Sequence, residues 1–502
     1  MMKKSDVIST LVTGSLLSTS ILFSGCEGEE QEQTQPNIIL IFADDLGYAE
    51  VGFNGAEFYE TPHIDELARQ GMIFNQFYPS MANCAPTRAC LLTGMYSPRH
   101  GVYLPQGLSR GGDQNRMRYK TPTWDADASF YNTYLDKISI NSVDPKYESL
   151  AEMLNKGGYT TARLGKWHIG GDNQGFDISS AAGEVGETTN RRVTYELTED
   201  ISVQGGKEQR YYSDSTVAMR LTDAALDFIE DNRSNPFFLY LSHWETHTPL
   251  VYPRERVKYY QNKLDQYPEG EFDFDDPEYA AGVEQLDNSV DRVMQKLEEL
   301  GLEDNTVVIF TSDNGGTNMN GNNPLRAKKG TFYEGGIRTP FCIKWPGVIE
   351  AGSETDIPVN GIDLMPTFAE MASAPLPQSQ PVDGESILPV LQGENSDHLR
   401  DRSIYFHFPL YLGGAPILPA YQGEEGYWRA VPSSVIIRGD WKLIHYYEYD
   451  STELFNLKTD ISEQNNLASE RPEIKDKLMD DLRSWIKDVD APVPDVENEN
   501  FD

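Results

Sequence analysis

The sequence predicts an α/β fold, with a large, mixed, mostly parallel sheet sandwiched by helices. A small C-terminal α+β subdomain with a short antiparallel sheet and a helix follows it. Three observations carry this prediction. Asn37–Ala43, Phe237–Leu241 and Thr306–Phe310 are short unbroken apolar runs rich in branched and aromatic residues, the pattern of strands buried on both faces of a parallel sheet. Segments with helical spacing and helix punctuation lie between them, the alternation that a parallel sheet requires. After residue 395 the order becomes strand, hairpin and helix, the grammar of a separate small layer.

Composition bounds the answer before any motif does. The chain of 502 residues is long enough for one large domain plus a smaller one, and 39% hydrophobic residues with 27 Tyr and 21 Phe support a packed core. With 42 Lys+Arg against 79 Asp+Glu, the net charge of −37 argues against nucleic acid as a partner, because phosphate neutralisation needs a basic surface. An anionic substrate is then held only where a metal and a few Arg and Lys offset the repulsion locally.

Residues 1–25 read as a bacterial signal peptide, with Lys3 and Lys4 at the start and the moderately apolar run Leu11–Phe23, too short and polar to span a membrane. Phe23-Ser24-Gly25-Cys26 resembles a lipobox, which makes Cys26 the expected site of lipidation. The expectation is an exported protein, lipid-anchored at the outer membrane, cell surface or periplasm, that touches the membrane only through this anchor. Residues 26–35 read as an acidic tether, 36–395 as the large α/β domain and 396–502 as the C-terminal subdomain.

The strand from Asn37 ends in Asp44-Asp45. Two carboxylates there repel each other and lose hydration unless a cation sits between them. A polar turn capping the strand is the alternative, but open α/β sheets place their ligands at this end. Thr61-Pro62 to Gly71 carries a full helix grammar with Thr61 as N-cap, and His63 on it is a surface residue. Met72–Phe77 returns as a strand towards a helix that starts at Cys84, has Pro86 in its first turn and ends at Gly94. Cys84 thus lies where free N–H groups and the helix dipole favour an anion, and Arg88, one turn on, faces the same way. Cys90 is a core position, and His100 a buried hydrogen-bonding support for this loop.

Residues 103–145 read as long loops whose basic residues Arg110, Arg116, Arg118 and Lys120 are either solvated or a wall for an anionic substrate. Tyr147–Lys156 reads as a helix and Thr160–Leu164 as a strand, which delivers Gly165-Lys166-Trp167-His168. On a strand, residues two apart share a face, so Lys166 and His168 point into one site. Phe237–Leu241 leads to Ser242-His243-Trp244-Glu245-Thr246-His247, where His243 reads as a loop residue. Pro277–Leu300 is an amphipathic packing helix. Thr306–Phe310 ends, like the first strand, in an oxygen-bearing pair, Asp313-Asn314, followed by glycines that allow close backbone approach.

In the C-terminal part, Ser403–Phe408 is a strand and Ser434–Arg438 with Trp441–Tyr447 a hairpin. Pro472–Val489 is a helix burying Ile474, Leu478, Leu482, Trp485 and Val489. Tyr411, Tyr421, Tyr427 and Trp428 either stack on sugar rings or pack internally. The 4 cysteines form no disulfide framework, and a Cys90–Cys342 bridge stays open.

Cys84-Ala85-Pro86-Thr87-Arg88 with Thr93-Gly94, together with Gly165-Lys166-Trp167-His168-Ile169-Gly170, resembles the signatures of the formylglycine-dependent sulfatases of the alkaline phosphatase superfamily. The resemblance extends from residue 36 to about residue 490. It implies that a sulfatase-maturing enzyme oxidises Cys84 to formylglycine, and that Asp44, Asp45, Asp313 and Asn314, with the residue at 84, surround one Ca2+. It further implies that Lys329 contacts the sulfate, Arg88 and Lys166 orient the hydrated aldehyde, His168 accepts a proton and His247 protonates the leaving oxygen. The implied reaction is hydrolysis of a sulfate ester, with a sulfated carbohydrate as substrate. The alternatives are a phosphonate or phosphate monoester hydrolase of the same superfamily, or a surface lipoprotein that binds sulfated glycan without turnover.

Overall fold

The structure, a computed structural model, describes residues 35–104, 116–121, 142–169, 174–180, 202–204, 207–209, 217–247, 252–267, 276–414 and 428–501. The segment expected as a signal peptide, Cys26, most of the expected tether, Arg110, Tyr421 and Tyr427 lie outside the described residues. Gln35–Asp502 forms one compact unit.

The large sheet contains β1 (Asn37–Ala43), β2 (Met72–Phe74), β3 (Thr160–Gly165), β4 (Ile178–Ser180), β5 (Phe237–Ser242), β6 (Thr306–Ser312), β7 (Phe341–Lys344) and β8 (Ser353–Thr355). Its eight strands run in the order β8-β2-β7-β6-β1-β5-β3-β4. Every neighbouring pair is parallel except those of β7, which lies antiparallel to β2 and β6. Ala43 of β1 pairs with Ser312 of β6, Phe42 with Ser242 of β5, and Ser242 in turn with Gly165 of β3. Four strands therefore finish side by side at one edge, and whatever residues follow them meet.

The unbroken apolar runs are explained by two cores. Ile38, Leu40 and Phe42 pack on one face of the sheet, and Ile39, Ile41 and Ala43 on the other. Helices α1 (Pro62–Arg69), α2 (Cys84–Thr93), α3 (Leu150–Lys156), α4 (Val217–Asp231), α5 (Pro277–Leu300), α6 (Glu334–Ile337) and α7 (Leu364–Met371) divide between these layers and the third core described below. Leu92 of α2, Leu154 of α3 and Phe368 of α7 join the first core, whereas Leu67 of α1, Leu221 of α4 and Val290 of α5 join the second. Side chains alternate across a strand, so a strand between two helix layers has no solvent face to mark with polar residues.

The subdomain adds β9 (Ser403–Phe408), β10 (Leu412–Gly413), β11 (Trp428–Ala430), β12 (Ser433–Arg438), β13 (Trp441–Tyr446), β14 (Ser451–Asn456) and α8 (Pro472–Asp488). Strands β9-β12-β13-β14 form an antiparallel sheet, and β10 pairs with β11. Its core takes Leu478, Leu482 and Trp485 from α8 and Tyr78, Cys90 and Phe332 from the large domain. Ile474 is only partly buried. A buried ion cluster ties the two parts together: Lys442 Nζ lies 2.8 Å from Glu334 Oε1 of α6 and 2.8 Å from Glu463 Oε1.

Several local expectations change. Thr61 makes no capping hydrogen bond; Asp287 Oδ1 of α5 accepts from His63 N at 3.0 Å and Ile64 N at 2.8 Å, so the cap comes from another helix. His63 is surface-exposed and pairs with Asp291 at 3.2 Å. The segment expected as a strand over Met72–Phe77 breaks after Phe74, and the helix expected from Tyr147 starts at Leu150, where Ser149 and Glu152 form a capping box. Cys90 and Cys342 are free thiols. His100 supports its loop as expected, accepting from Val102 N on Nδ1 and lying 3.3 Å from Cys90 Sγ through Nε2.

Arg118 and Lys120 face carboxylates of the C-terminal segment, Glu497 at 3.5 Å and Glu499 at 3.6 Å. Tyr411 and Trp428 are core residues with ring centroids 5.0 Å apart, not sugar platforms.

Replacing Lys442 by Met leaves Glu334 and Glu463 facing each other in the interior. Urea unfolding is expected to show a loss of about 3–5 kcal/mol at an unchanged m value. A loss below about 1 kcal/mol would remove the cluster from the forces holding the subdomain.

Candidate active site

Asp44 and Asp45 leave β1 and Asp313 and Asn314 leave β6 at the level set by the Ala43–Ser312 pair. Asp45 adopts φ 69°, a left-handed conformation that a short polar side chain tolerates and that recurs at functional turns. Its N–H donates to Asp313 Oδ1 at 3.1 Å, and Asn314 Nδ2 donates to its Oδ1 at 2.8 Å. Ligand atoms of Asp44, Cys84 and Asp313 lie within 4.8 Å of one another, as do those of Asp44, Asp45 and His247.

Helix α2 brings Cys84 and Arg88 to this edge, both buried. Cys84 occupies the first helical position and Gly94, at φ 66°, closes the helix. Arg88 Nη2 donates to Asp313 Oδ2 at 2.7 Å, while Nη1 donates to Tyr240 OH at 3.0 Å, to Lys166 O at 3.2 Å and to Ser242 Oγ. Among the described residues Arg88 makes no hydrogen bond to Cys84, so it acts on that position through charge. Lys166 Nζ bonds Asp44 Oδ2. Lys329 Nζ straddles Asp45, 2.5 Å from Oδ1 and 2.7 Å from Oδ2, and lies 4.0 Å from Cys84 Sγ. His247 Nε2 lies 3.8 Å from Asp45 Oδ2, and its side chain, 26% exposed, marks the open side of the site.

Lys166 and His168 do meet the same site, but not by strand alternation. Strand β3 ends at Gly165, and His168 adopts φ 60°. His168 Nδ1 is buried without a hydrogen-bond partner among the described residues. Burial, helped by Lys166 and Arg88, pushes this imidazole down to about 2, so it is neutral. His243 is no loose loop residue: it is buried, with Nδ1 2.9 Å from Glu245 Oε2 and Nε2 3.0 Å from Ser289 Oγ of α5.

The carboxylates do not share one environment. Burial drives Asp44 well above the usual range, and Asp313 and Asp45 add to this against Lys166. Burial also works against charge on Asp45 and Asp313, but Lys329 holds Asp45, and Arg88 with Lys166 holds Asp313, below that range. Asp44 Oδ1 and Asn314 Oδ1 are buried with no hydrogen-bond donor among the described residues. Two orphaned buried oxygens beside mutually repelling carboxylates fit a hard divalent cation, and Asp44, Asp45, Asp313 and Asn314 offer only oxygen.

Sequence reasoning missed Tyr240 and Ser242, the acceptors of Arg88, and Thr246 and Tyr279. The last two donate to the backbone oxygens of Asp44, at 2.6 Å, and Asp45, at 3.1 Å. Tyr240 had one signal, a hydroxyl inside a wholly buried apolar strand.

The sulfatase family profile matches residues 36–374, and that of the N-sulphoglucosamine sulphohydrolase C-terminal region matches residues 327–490. The chain is 32% identical to a sulfatase of Formosa agariphila, over 96% of this chain and 94% of that one. It is 30% identical to the N-acetylgalactosamine-6-sulfatase of Homo sapiens, over 74% of this chain and 68% of that one. The crystal structure of Ps i-CgsB in complex with k-i-k-neocarrahexaose superposes with a TM-score of 0.67 at 28% identity, covering 90% of this chain and 93% of that one. This chain belongs to the sulfatase family of the alkaline phosphatase superfamily. It is a sulfuric ester hydrolase.

Calcium added to chelator-treated protein is expected to raise the melting temperature in scanning calorimetry, by about 2.7 kcal/mol of stabilisation at a hundredfold excess over Kd. Asp313→Asn should abolish the rise. A wild-type chain that melts identically with calcium and with chelator would exclude a cation at these residues.

Proposed function

We propose that this protein hydrolyses sulfate ester bonds of a sulfated carbohydrate, with Cys84 oxidised to formylglycine and one Ca2+ held by Asp44, Asp45, Asp313 and Asn314. The observation that carries the reading is the convergence on Cys84 of these oxygens with Arg88, Lys166 and Lys329 at the carboxyl edge of the sheet. The carbohydrate class is supported by relatives named N-acetylgalactosamine-6-sulfatase and by the likeness to a structure holding neocarrahexaose. The N-terminal signal and Cys26 support export and a lipid anchor at the cell surface or periplasm, where such a glycan is met. A sulfatase-maturing enzyme is then the partner that acts on Cys84.

Formylglycine supplies, as its hydrate, a hydroxyl nucleophile where Cys84 Sγ now stands, and the cation supplies a positive centre for the sulfate oxygens. The chain's own groups do the rest. Lys329 Nζ, between Asp45 and position 84, binds a sulfate oxygen. Arg88 and Lys166 hold Asp313 ionised, Lys166 bonds Asp44 and works against the burial that raises it, and both cations keep position 84 in a positive field. Neutral His168 accepts a proton on its open Nδ1, and an anionic sulfate entering the site raises the proton affinity of that ring. His247, on the open side, donates a proton to the departing sugar oxygen.

Two measurements test this. Protein from its own host should release inorganic sulfate from a sulfated oligosaccharide, and the residue-84 peptide should have lost its thiol sulfur and gained an aldehyde by mass. An intact thiol in active protein, or faster turnover of a matched phosphate monoester than of the sulfate, would overturn the reading. His247→Ala should lower kcat on a sugar sulfate by about 10²–10⁴-fold, yet lower it far less on an aryl sulfate whose phenolate leaves unaided. Equal losses on both substrates would remove His247 from the proton-donor role.

A further inference from the structure

A pair of cations beside the site has no part in the chemistry above. Lys328 precedes Lys329, and Arg429 comes from β11 of the C-terminal subdomain. The Arg429 stem lies directly on the backbone one residue past Lys329: a Cβ on Gly330, at φ 84°, would come within 2.7 Å of Arg429 Cδ. Its guanidinium rests against Gly414, where a Cβ would come within 2.9 Å of Nη2. Larger side chains at either glycine would evict the arginine, and both positions have positive φ.

Neither cation is paired with a carboxylate among the described residues. Arg429 Nε is buried and makes no hydrogen bond. This contrasts with half-buried cations elsewhere in the chain, such as Arg99, 2.8 Å from Asp383. In a protein of net charge −37, two cations without a carboxylate partner among the described residues need an explanation. Burial, and for Lys328 the charge of Arg429, lowers both from their ordinary values, while Asp45 favours the charge on Arg429. Lys328 and Arg429 are both partly exposed, as is His247.

We propose that Lys328 and Arg429 form a second anion subsite, which binds an additional acidic group, a sulfate ester or a carboxylate, on the same glycan whose sulfate is cleaved. This rests on the sulfatase reading above and names its substrate class: a glycan with at least two acidic groups on neighbouring positions. The planar guanidinium fork suits either oxyanion, and the ammonium adds a point charge. A neutral sugar with a single sulfate leaves both cations unmatched.

The test is calorimetric binding to the full chain carrying Cys84→Ser, in millimolar calcium. Three probes are compared: galactose 6-sulfate, a disaccharide with two sulfate esters, and a disaccharide with one sulfate ester and one uronate carboxylate. At least one two-acid probe is expected to bind about tenfold or more tightly than the single-sulfate probe, a gain in the range of a charge-assisted contact. A gain confined to one of them tells whether sulfate or carboxylate is the second group. Arg429→Gln should cut that preference to about threefold or less, and Arg429→Lys should restore part of it. Lys328→Gln, at a more exposed position, should lower the preference as well and carries the test if Arg429→Gln unfolds.

Equal affinities for all three probes, no measurable binding of either two-acid probe, or a preference that survives both Gln variants would overturn the proposal. Absence of sulfate release by matured wild-type protein would instead overturn the sulfatase reading, and these binding ratios stand apart from that outcome.

Discussion

The structure depends on keeping three carboxylates, Asp44, Asp45 and Asp313, out of water at the ends of two adjacent strands. Removing a charge from water costs several kcal/mol after relaxation, and like charges add to that cost. The protein answers with three cations, Arg88, Lys166 and Lys329, each bonded to a different carboxylate. Carboxylates and cations are therefore matched one to one before any ion or substrate enters. The balance is uneven in detail, since Asp44 carries the largest penalty and an unsatisfied oxygen, and this inequality gives the cluster its appetite for a further cation.

Such a cluster contributes little stability of its own, so the surroundings must hold it in place. The alternating faces of β1, β5 and β6 anchor two independent cores, and the backbone carbonyls of Asp44 and Asp45 are pinned by Thr246 and Tyr279. Arg88 gains its orientation from Tyr240 and Ser242 of β5, which turns a flexible side chain into a fixed positive group. A rigid positive field that needs no reorganisation is what a reaction transferring negative charge uses best.

The C-terminal subdomain takes part in the same design. Through Lys442 it fixes Glu334, five residues beyond Lys329, and through β11 it lays Arg429 on the following glycine. The segment carrying Lys329 is thus clamped between the sheet edge and the subdomain. Chemistry stays with the strand ends of the large domain, whereas recognition of the rest of a substrate can vary with the residues that the subdomain presents.

The sequence by itself determined the sheet-and-helix architecture, the strands that end in ligands, the helix at Cys84 and the family to which the motifs point. These are legible because burial on both faces, helix punctuation and a contiguous motif are all local in the chain. The cap of α1 by Asp287, the clasp of His243 between Glu245 and Ser289, and the diversion of Arg118 and Lys120 to C-terminal acids were not legible. Lys166 and His168 reached one site, but a turn at positive φ brought them there and not the strand period on which the expectation rested. Each of these depends on which distant side chain arrives at a given donor or charge. That is fixed by strand register and by the packing of helices and subdomain over the sheet, and neither leaves a periodic trace along the chain.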